Sequence, residues 1–147
     1  MDLRLKYEPT AANASLFAAE IAQSVFEVDR IDLDYRPGSL IDVDRIIEGL
    51  RSEGVTPDQI GETLFCFGCY VGEVFVRHAG GVWRATEETS MRDAAGGPFV
   101  VELPVGGVAR YVNPLDKVFK RLENGPEDDL PYFYRVFTMP VRPSETG

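Results

Sequence analysis

Apolar side chains recur at helical spacing in five segments of the chain, and the first two segments carry recognisable boundary residues. Thr10 is a candidate N-cap for a first helix that ends near Val28. In the second segment, Ser39 and Asp42 resemble a capping box, and Gly54 is a typical C-terminal residue. The inward positions predicted for these two helices are Phe17, Ile21, Ser24, Val25 and Val28, followed by Leu40, Val43, Ile47 and Leu50.

The third predicted helix, over residues 57–77, is apolar on most of its sides. Thr56 is its N-cap, Pro57 takes the first helical position and Gln59 closes a capping box. Each of its three glycines costs about 1 kcal/mol relative to alanine, which favours close approach of another backbone as compensation. A helix with so few polar positions is typically central and buried. The positions that we expect to contact water are Glu62, Glu73 and Arg77.

Residues rich in valine and aromatic side chains predict three strands in the second half of the chain: Val82–Ala85, Phe99–Leu103 and Val108–Val112. The last two would form a hairpin with a four-residue loop, Pro104–Gly107, and the first would join them in an antiparallel meander. Residues 86–97 are predicted to form an exposed loop. A further short strand is predicted over Ile31–Tyr35, where apolar and acidic residues alternate.

Two short helices complete the prediction. Asn113 caps the fourth helix, and Asn124-Gly125-Pro126 ends it. The fifth helix begins after the acidic Glu127–Asp129 segment, and its inward positions are Leu130, Phe133, Tyr134 and Phe137. We therefore predict one α+β domain over residues 1–147, with about five helices around a small antiparallel meander and a flexible tail at residues 140–147.

Composition is that of a globular protein, with 44% hydrophobic and 27% charged residues among 147. The net charge of −9 argues against nucleic acid as a partner. Residues 20–62 hold eleven acids and four bases, whereas Lys117, Lys120 and Arg121 are predicted to form an outward basic stripe. These charges could simply keep the surface solvated, or they could form a docking surface for a basic partner or for a second copy of the chain.

The first residues of the chain, Met1–Lys6, carry charges where a secretory signal would be apolar. No stretch of the sequence approaches 18 uninterrupted apolar residues, so we expect no membrane span and no membrane partner. Two cysteines are too few for a disulfide framework. These features predict a cytoplasmic protein.

Cys66 and Cys69 form a CxxC pair, which has two interpretations. Redox pairs gain reactivity from a helix N-terminus, but this pair lies about ten residues inside the third predicted helix, which favours two small core residues. Zinc would need four ligands, and the pair with His78, the only histidine, supplies three. We therefore expect no cofactor and no metal, and keep thiol–redox chemistry as a weaker alternative.

Glu73 and Arg77 are four residues apart on the third helix, a spacing typical of a helical ion pair. Alternatively, Glu73 lies beside Tyr70, faces the Trp83 strand and lines a pocket, where it would serve as a general acid or base. Trp83, the only tryptophan, is either a core anchor or an exposed interaction residue. Tyr70, Glu73, Arg77 and Trp83 are the candidate pocket or interaction residues.

Two stretches of the chain resemble a bacterial family of small uncharacterised domains. The first is Gly68-x-Tyr70-x-Gly72-Glu73-Val74, continuing to Gly80-Gly81-x-Trp83. The second is Pro114-x-Asp116-Lys117-Val118, continuing to Lys120-Arg121-Leu122-Glu123-Asn124-Gly125. The resemblance implies a bacterial origin and carries no established activity.

The sequence lacks the common catalytic motifs: it has neither a GxSxG nucleophile elbow nor a phosphate-binding loop. Our first hypothesis is a non-catalytic intracellular protein that acts through protein–protein contact, either with an unidentified protein or with itself as a homo-oligomer. The alternative is an enzyme or small-ligand binder with a pocket around Glu73.

Overall fold

The computed structural model describes residues 6–93, 96–105 and 107–139, and within them it has an α+β fold, as predicted. Five α-helices surround a three-stranded antiparallel sheet. The helices are α1 (Ala14–Asp29), α2 (Ser39–Ser52), α3 (Pro57–His78), α4 (Pro114–Asn124) and α5 (Leu130–Thr138). The strands are β1 (Val82–Ala85), β2 (Phe99–Val105) and β3 (Val108–Val112), and short 3₁₀ turns occupy Ala11–Asn13, Thr86–Glu88 and Pro126–Asp128.

Helix α3 is the central element of the fold, as its all-round apolar sequence predicted. It packs against α1, α4 and the sheet, and every residue from Cys66 to Phe75 is buried. The Gln59 side chain closes its N-terminus by accepting a hydrogen bond from the Thr56 backbone N–H at 2.9 Å. Burial of each large apolar side chain contributes roughly 1.5–3 kcal/mol, so this helix supplies much of the core.

The glycines of α3 have different surroundings. A Cβ on Gly68 would lie 2.8 Å from Cα of Leu115, so this glycine allows the predicted close approach of another backbone, which the structure identifies as α4. A Cβ on Gly72 would collide instead with the indole ring of Trp83. Gly61 has open space beside it. Two of the three glycines therefore form contacts that any larger residue would block.

The sheet has the order β1-β2-β3, which is the predicted meander. Its hairpin loop is shorter than the four residues predicted, because β2 continues to Val105, which pairs with Val108. Pro104 fits inside this strand since the β1 pairing ends at Glu102, so its missing N–H leaves no ladder bond unmade on that side. Gly107, just before β3, has a φ of +76°.

The strand predicted over Ile31–Tyr35 is wrong, since the structure assigns no strand to those residues. Leu33 is nevertheless buried, so the alternating pattern marks an extended segment that points every second side chain inward. A strand also requires a hydrogen-bonded neighbour, which periodicity alone does not specify. The prediction that Val28 faces inward is likewise wrong, because Val28, in the last turn of α1, is 64% exposed.

The predicted N-terminal caps of the first two helices are wrong. Gly38 is the N-cap of α2, and the Ser39 hydroxyl donates to the carbonyl of Arg36 instead of forming a capping box with Asp42. A 3₁₀ turn follows Thr10, so α1 begins at Ala14 with Asn13 as its N-cap.

The caps of the last two helices follow the sequence. The side chains of Asn113 and Asp129 accept hydrogen bonds from the backbone N–H groups of Asp116 and Tyr132, which caps α4 and α5. The segment that follows β1 is less exposed than predicted, because Thr86 is buried. The predicted tail, residues 140–147, lies outside the described residues, as do residues 94 and 95 of the predicted loop.

Candidate functional site

Glu73 and Trp83 are joined by a hydrogen bond between α3 and β1. The indole Nε1 of Trp83 donates to Oε2 of Glu73 at 2.8 Å, while its ring lies against the backbone of Gly72. Glu73 is 5% exposed, so the prediction that this residue contacts water is wrong. The predicted proximity of Glu73 to the Trp83 strand is confirmed, and the contact ties the sheet to the central helix.

Arg77 continues this cluster toward the surface. Its Nε lies 3.4 Å from Oε1 of Glu73, which confirms the predicted ion pair. The guanidinium carbon lies 3.5 Å from the ring centroid of Tyr35, in a cation–π arrangement. The Tyr35 ring in turn packs against that of Tyr70, with centroids 4.8 Å apart. Burial raises the pKa of the Tyr35 hydroxyl, partly opposed by Arg77.

The Tyr70 hydroxyl has a defined hydrogen-bond direction. It accepts from the backbone N–H of Tyr35 at 2.8 Å and lies 2.6 Å from Oγ of Ser39. Ser39 uses its single hydroxyl hydrogen on the carbonyl of Arg36 at 2.7 Å, so Tyr70 must donate to Ser39. Burial raises the pKa of Tyr70 to about 12, so the hydroxyl remains a donor at neutral pH.

The same interactions hold Tyr35 in an unusual backbone conformation. Its φ of +67° lies in the left-handed region, where residues other than glycine are uncommon. The hydrogen bond to Tyr70 and the contacts of the Tyr35 ring with the Tyr70 ring and the Arg77 guanidinium offset this strain. The loop between α1 and α2 is therefore fixed to α3.

Arg77 and Trp83 bond directly to Glu73, whereas Tyr70 reaches this group through the Tyr35 ring and bonds to Tyr35 and Ser39. Both carboxylate oxygens of Glu73 accept hydrogen bonds, and the Tyr70 hydroxyl both donates and accepts. Three surface cavities, of about 380, 250 and 300 Å³, are lined by other residues, including Thr86, Phe119 and Tyr111 respectively. The arrangement can hold the fold together, and a ligand pocket around Glu73 stays a prediction.

The two cysteines lie in the core, as the simpler interpretation predicted. Both are free thiols, and burial raises the pKa of Cys66 to about 12, with Glu20 and Glu62 contributing in the same direction. Burial also raises the pKa of Cys69. A thiol of this kind stays protonated at neutral pH and is a poor nucleophile. Across residues 6–93, 96–105 and 107–139, no group of three or more potential metal ligands is placed to hold an ion.

The basic stripe predicted on α4 does not face solvent as a whole. Arg121 is 1% exposed and donates to both carboxylate oxygens of Asp44 on α2, at 2.9 and 3.1 Å. Its third contact is Oε2 of Glu48 at 3.0 Å. Burial acts to lower the pKa of Arg121, but the hydrogen bonds to Asp44 and Glu48 outweigh it and raise the pKa; the bond from Arg121 lowers the pKa of Glu48. We refer to Asp44, Glu48 and Arg121 as the α2–α4 ion cluster.

The cluster also reaches α5, since the backbone N–H of Leu130 donates to Oδ1 of Asp44 at 3.0 Å. The rest of the predicted stripe has partners too: Lys117 pairs with Asp128 at 2.8 Å, and Lys120 pairs with Asp116 at 3.0 Å. The charge complementarity that the sequence suggested between two copies is thus used, in part, within one chain.

Helix α1 carries an apolar surface that the sequence analysis missed. Its buried side holds Phe17, Ile21 and Val25. The opposite side exposes four residues that are three, four and three positions apart, and we call this row the α1 outer stripe. Leu16 is 42% exposed and Phe26 is 48% exposed, well above core values. The members of the stripe are Leu16, Ala19, Gln23 and Phe26. The 3–4 periodicity of these residues was present in the sequence but was masked by the stronger inward pattern.

The C-terminal end of α1 departs from ordinary helix chemistry. Glu27 and Asp29 lie in its last turn, which contains no basic residue. The end of a helix carries partial negative charge, so each acid there costs about 0.3–1 kcal/mol. Arg30 follows as the C-cap with φ +58°, a conformation that glycine usually adopts. Local rules broken together in this way are expected at functional or strained sites.

Comparison with known proteins adds no further assignment, because the chain matches no protein-family model, no curated protein and no solved structure. The resemblance to a bacterial family therefore stays a prediction. Its quoted residues nevertheless have a physical role here, since Gly68, Tyr70, Gly72, Glu73 and Trp83 make the packing contacts described above. Over the described ranges, no helix is both long and apolar enough to cross a membrane.

Proposed function

We propose that this chain is a non-catalytic protein that acts by binding another protein through the α1 outer stripe. The observation that carries this proposal is that α1 is apolar on two opposite sides, of which the fold covers one. Exposed large apolar residues arranged on one helix face are typical of an interaction surface, whereas scattered ones need no explanation. Leu16 and Phe26 are its two large apolar members.

The alternative, a pocket centred on Glu73, has weaker support. A general acid or base needs a free position toward its substrate, and both oxygens of Glu73 are engaged with Arg77 and Trp83. The proposal keeps the cytoplasm as the site of action. The free thiols of Cys66 and Cys69 support this location, since reduced cysteines are typical of the cytoplasm.

The size of the surface sets the expected affinity. The stripe runs from Leu16 to Phe26, ten helical positions or about 15 Å. A stable interface buries roughly 800 Å² on each partner, more than one short helix face offers. We therefore expect a transient complex with a dissociation constant of about 1 μM or weaker.

A pull-down from lysate of the organism that encodes the chain tests this function. The bait proteins are the wild type, Phe26→Glu and Ile41→Glu. Ile41 lies on α2 and is 48% exposed, the same fraction as Phe26, so it is a matched control. We expect mass spectrometry to show proteins retained by the wild type and by Ile41→Glu but lost with Phe26→Glu. Identical retained sets for all three baits would reject the α1 surface.

A further inference from the structure

All the charged residues of helix α1 are acidic. The helix contains Glu20, Glu27 and Asp29 and no lysine or arginine. Glu20 pairs with Lys6 at 3.2 Å. Glu27 and Asp29 are exposed and form no ion pair with any residue in the described part of the chain. One base lies at this end, since the guanidinium carbon of Arg30 is 5.8 Å from the ring centroid of Phe26. Among the described residues the acids Glu27 and Asp29 still outnumber that base, so the surface around Phe26 is acidic on balance.

These acids contribute nothing evident to the fold. They lie at the end of α1 where the helix dipole disfavours them, and the Glu27 side chain only accepts a hydrogen bond from Gln23 at 3.1 Å. Arg30, the C-cap, is the one base beside them, and a further cation would be attracted by the carboxylates that it does not pair with. The electrostatic complement of this surface is therefore positive.

The spacing of the stripe residues indicates the shape of the binding partner. Residues that repeat at spacings of three and four along one helix pack best against a second helix, whose side chains insert between them. Leu16, Ala19 and Phe26 supply the apolar seam, and Glu20 and Glu27 flank it on one side. A helix that lies along this seam would place its own flanking residues beside those acids.

We infer that the occupant of the α1 outer stripe is a cationic amphipathic helix of another protein, with apolar residues at 3–4 spacing and lysine or arginine beside them. The inference rests on the proposed function and names the chemistry of its partner. A second copy of the chain is disfavoured, because pairing two α1 helices would bring two acidic surfaces together, in molecules of net charge −9.

The test uses two synthetic helical peptides of about three heptads, both with leucine at 3–4 spacing. The cationic peptide has lysine at the flanking positions, and the matched anionic peptide has glutamate there. Fluorescence anisotropy of labelled peptides gives the dissociation constants. We expect the cationic peptide to bind the wild type at least ~10-fold more tightly than the anionic peptide, with affinity that falls as salt is raised.

Variants of the full chain distinguish binding at the α1 outer stripe from non-specific attraction between opposite charges. Glu27→Lys/Asp29→Lys and Glu87→Lys/Glu88→Lys change the net charge equally, but only the first pair lies on α1; Glu87 and Glu88 are exposed in the turn after β1. We expect the α1 pair to weaken cationic-peptide binding at least ~10-fold and to improve binding of the anionic peptide, and the control pair to change affinity less than ~2-fold. Phe26→Glu should weaken binding as well, and Ile41→Glu should not.

Three outcomes would overturn the inference. They are no measurable binding of the cationic peptide, equal effects of the two double substitutions, and a concentration-dependent dimer in sedimentation that Phe26→Glu abolishes. The last result would identify a second copy as the occupant. The first two leave the proposed function standing, and the third would replace its partner by a second copy. The proposed function itself fails separately if Phe26→Glu leaves the retained cellular proteins unchanged.

Discussion

The indole N–H of Trp83 donates to the carboxylate of Glu73 at 2.8 Å while the ring covers the backbone of Gly72. Trp83 on β1 thereby contacts two successive residues of α3: it forms a hydrogen bond with Glu73 and packs against Gly72. The Glu73 carboxylate is buried, so it depends on its hydrogen-bond partners, and the bond from Trp83 attaches the sheet to the central helix.

The contact at Gly72 predicts a contrast between two glycines of the same helix. Gly72→Ala places a methyl group in the Trp83 ring, and we expect it to lower the free energy of unfolding by about 1–3 kcal/mol. Gly61→Ala meets open space and should be neutral or stabilising by up to about 1 kcal/mol. Urea denaturation of both variants measures the difference. Equal losses would contradict the packing described at Gly72.

The α2–α4 ion cluster predicts that one base of the α4 stripe matters far more than its neighbour. Arg121→Met removes the cation shared by Asp44 and Glu48, although Glu48 keeps its pair with Arg51, and we expect a loss of about 1.5–3 kcal/mol in unfolding free energy. Lys120→Met removes an exposed pair with Asp116 and should cost about 0–1 kcal/mol. Chemical denaturation of both variants tests this, and similar losses would contradict a special role for Arg121.

The Tyr70 hydroxyl predicts an alkaline limit to stability. Its folded pKa of about 12 lies above the ordinary value of 10.0, so folding favours the protonated form. The corresponding stability is complete below pH 10 and declines as the pH rises toward about 12. We expect Tyr70→Phe to flatten this decline, whereas Tyr132→Phe, at an exposed tyrosine, should not. Thermal melts across this pH range would show whether the two variants differ.

The buried thiols predict slow chemistry in the native state. Because burial raises the pKa of Cys66 to about 12, almost none of it is thiolate at neutral pH. We expect a thiol-specific chromogenic reagent to modify Cys66 and Cys69 only after denaturant is added. Rapid modification of both cysteines in the folded protein, without loss of structure by circular dichroism, would instead support the redox alternative.

The acids at the end of α1 predict a gain of stability when they are removed. Asp29→Lys places a cation at the negative end of the helix, and we expect it to raise the free energy of unfolding by about 0.3–1 kcal/mol. If the same substitution weakens peptide binding, the residue serves recognition at the expense of stability. A loss of stability in urea denaturation would show that Asp29 makes a contact important to the fold.

The elements of the fold were largely predictable because local signals mark them. The capping residues Thr56, Asn113 and the apolar pattern of α3 identified helices that the structure confirms. The Ile31–Tyr35 strand was wrong because alternation reports which side chains point inward, while a strand also needs a neighbouring backbone. The predicted hairpin loop was too long because proline is typical of turns. Pro104 instead lies in β2, beyond the end of the β1 pairing at Glu102.

The candidate site was predictable only in part. The adjacency of Glu73 and Arg77 follows from helical spacing, and the structure adds Trp83 as the second partner of that carboxylate. The involvement of Tyr35 had no local signal, since its contact with Tyr70 joins residues 35 positions apart. The α1 outer stripe was overlooked because a helix with two apolar sides shows one strong inward pattern in its sequence.

The sequence by itself determined the helices, the three strands, the burial of α3 and the excess of acid between residues 20 and 62. Each of these depends on spacing, local propensity or composition. Only the tertiary structure decided which charges remain available. It paired Arg121 with Asp44 and Glu48 across 77 and 73 positions and left Glu27 and Asp29 exposed beside Phe26. Pairing of that kind depends on which surfaces meet when the helices pack, and no local pattern records it.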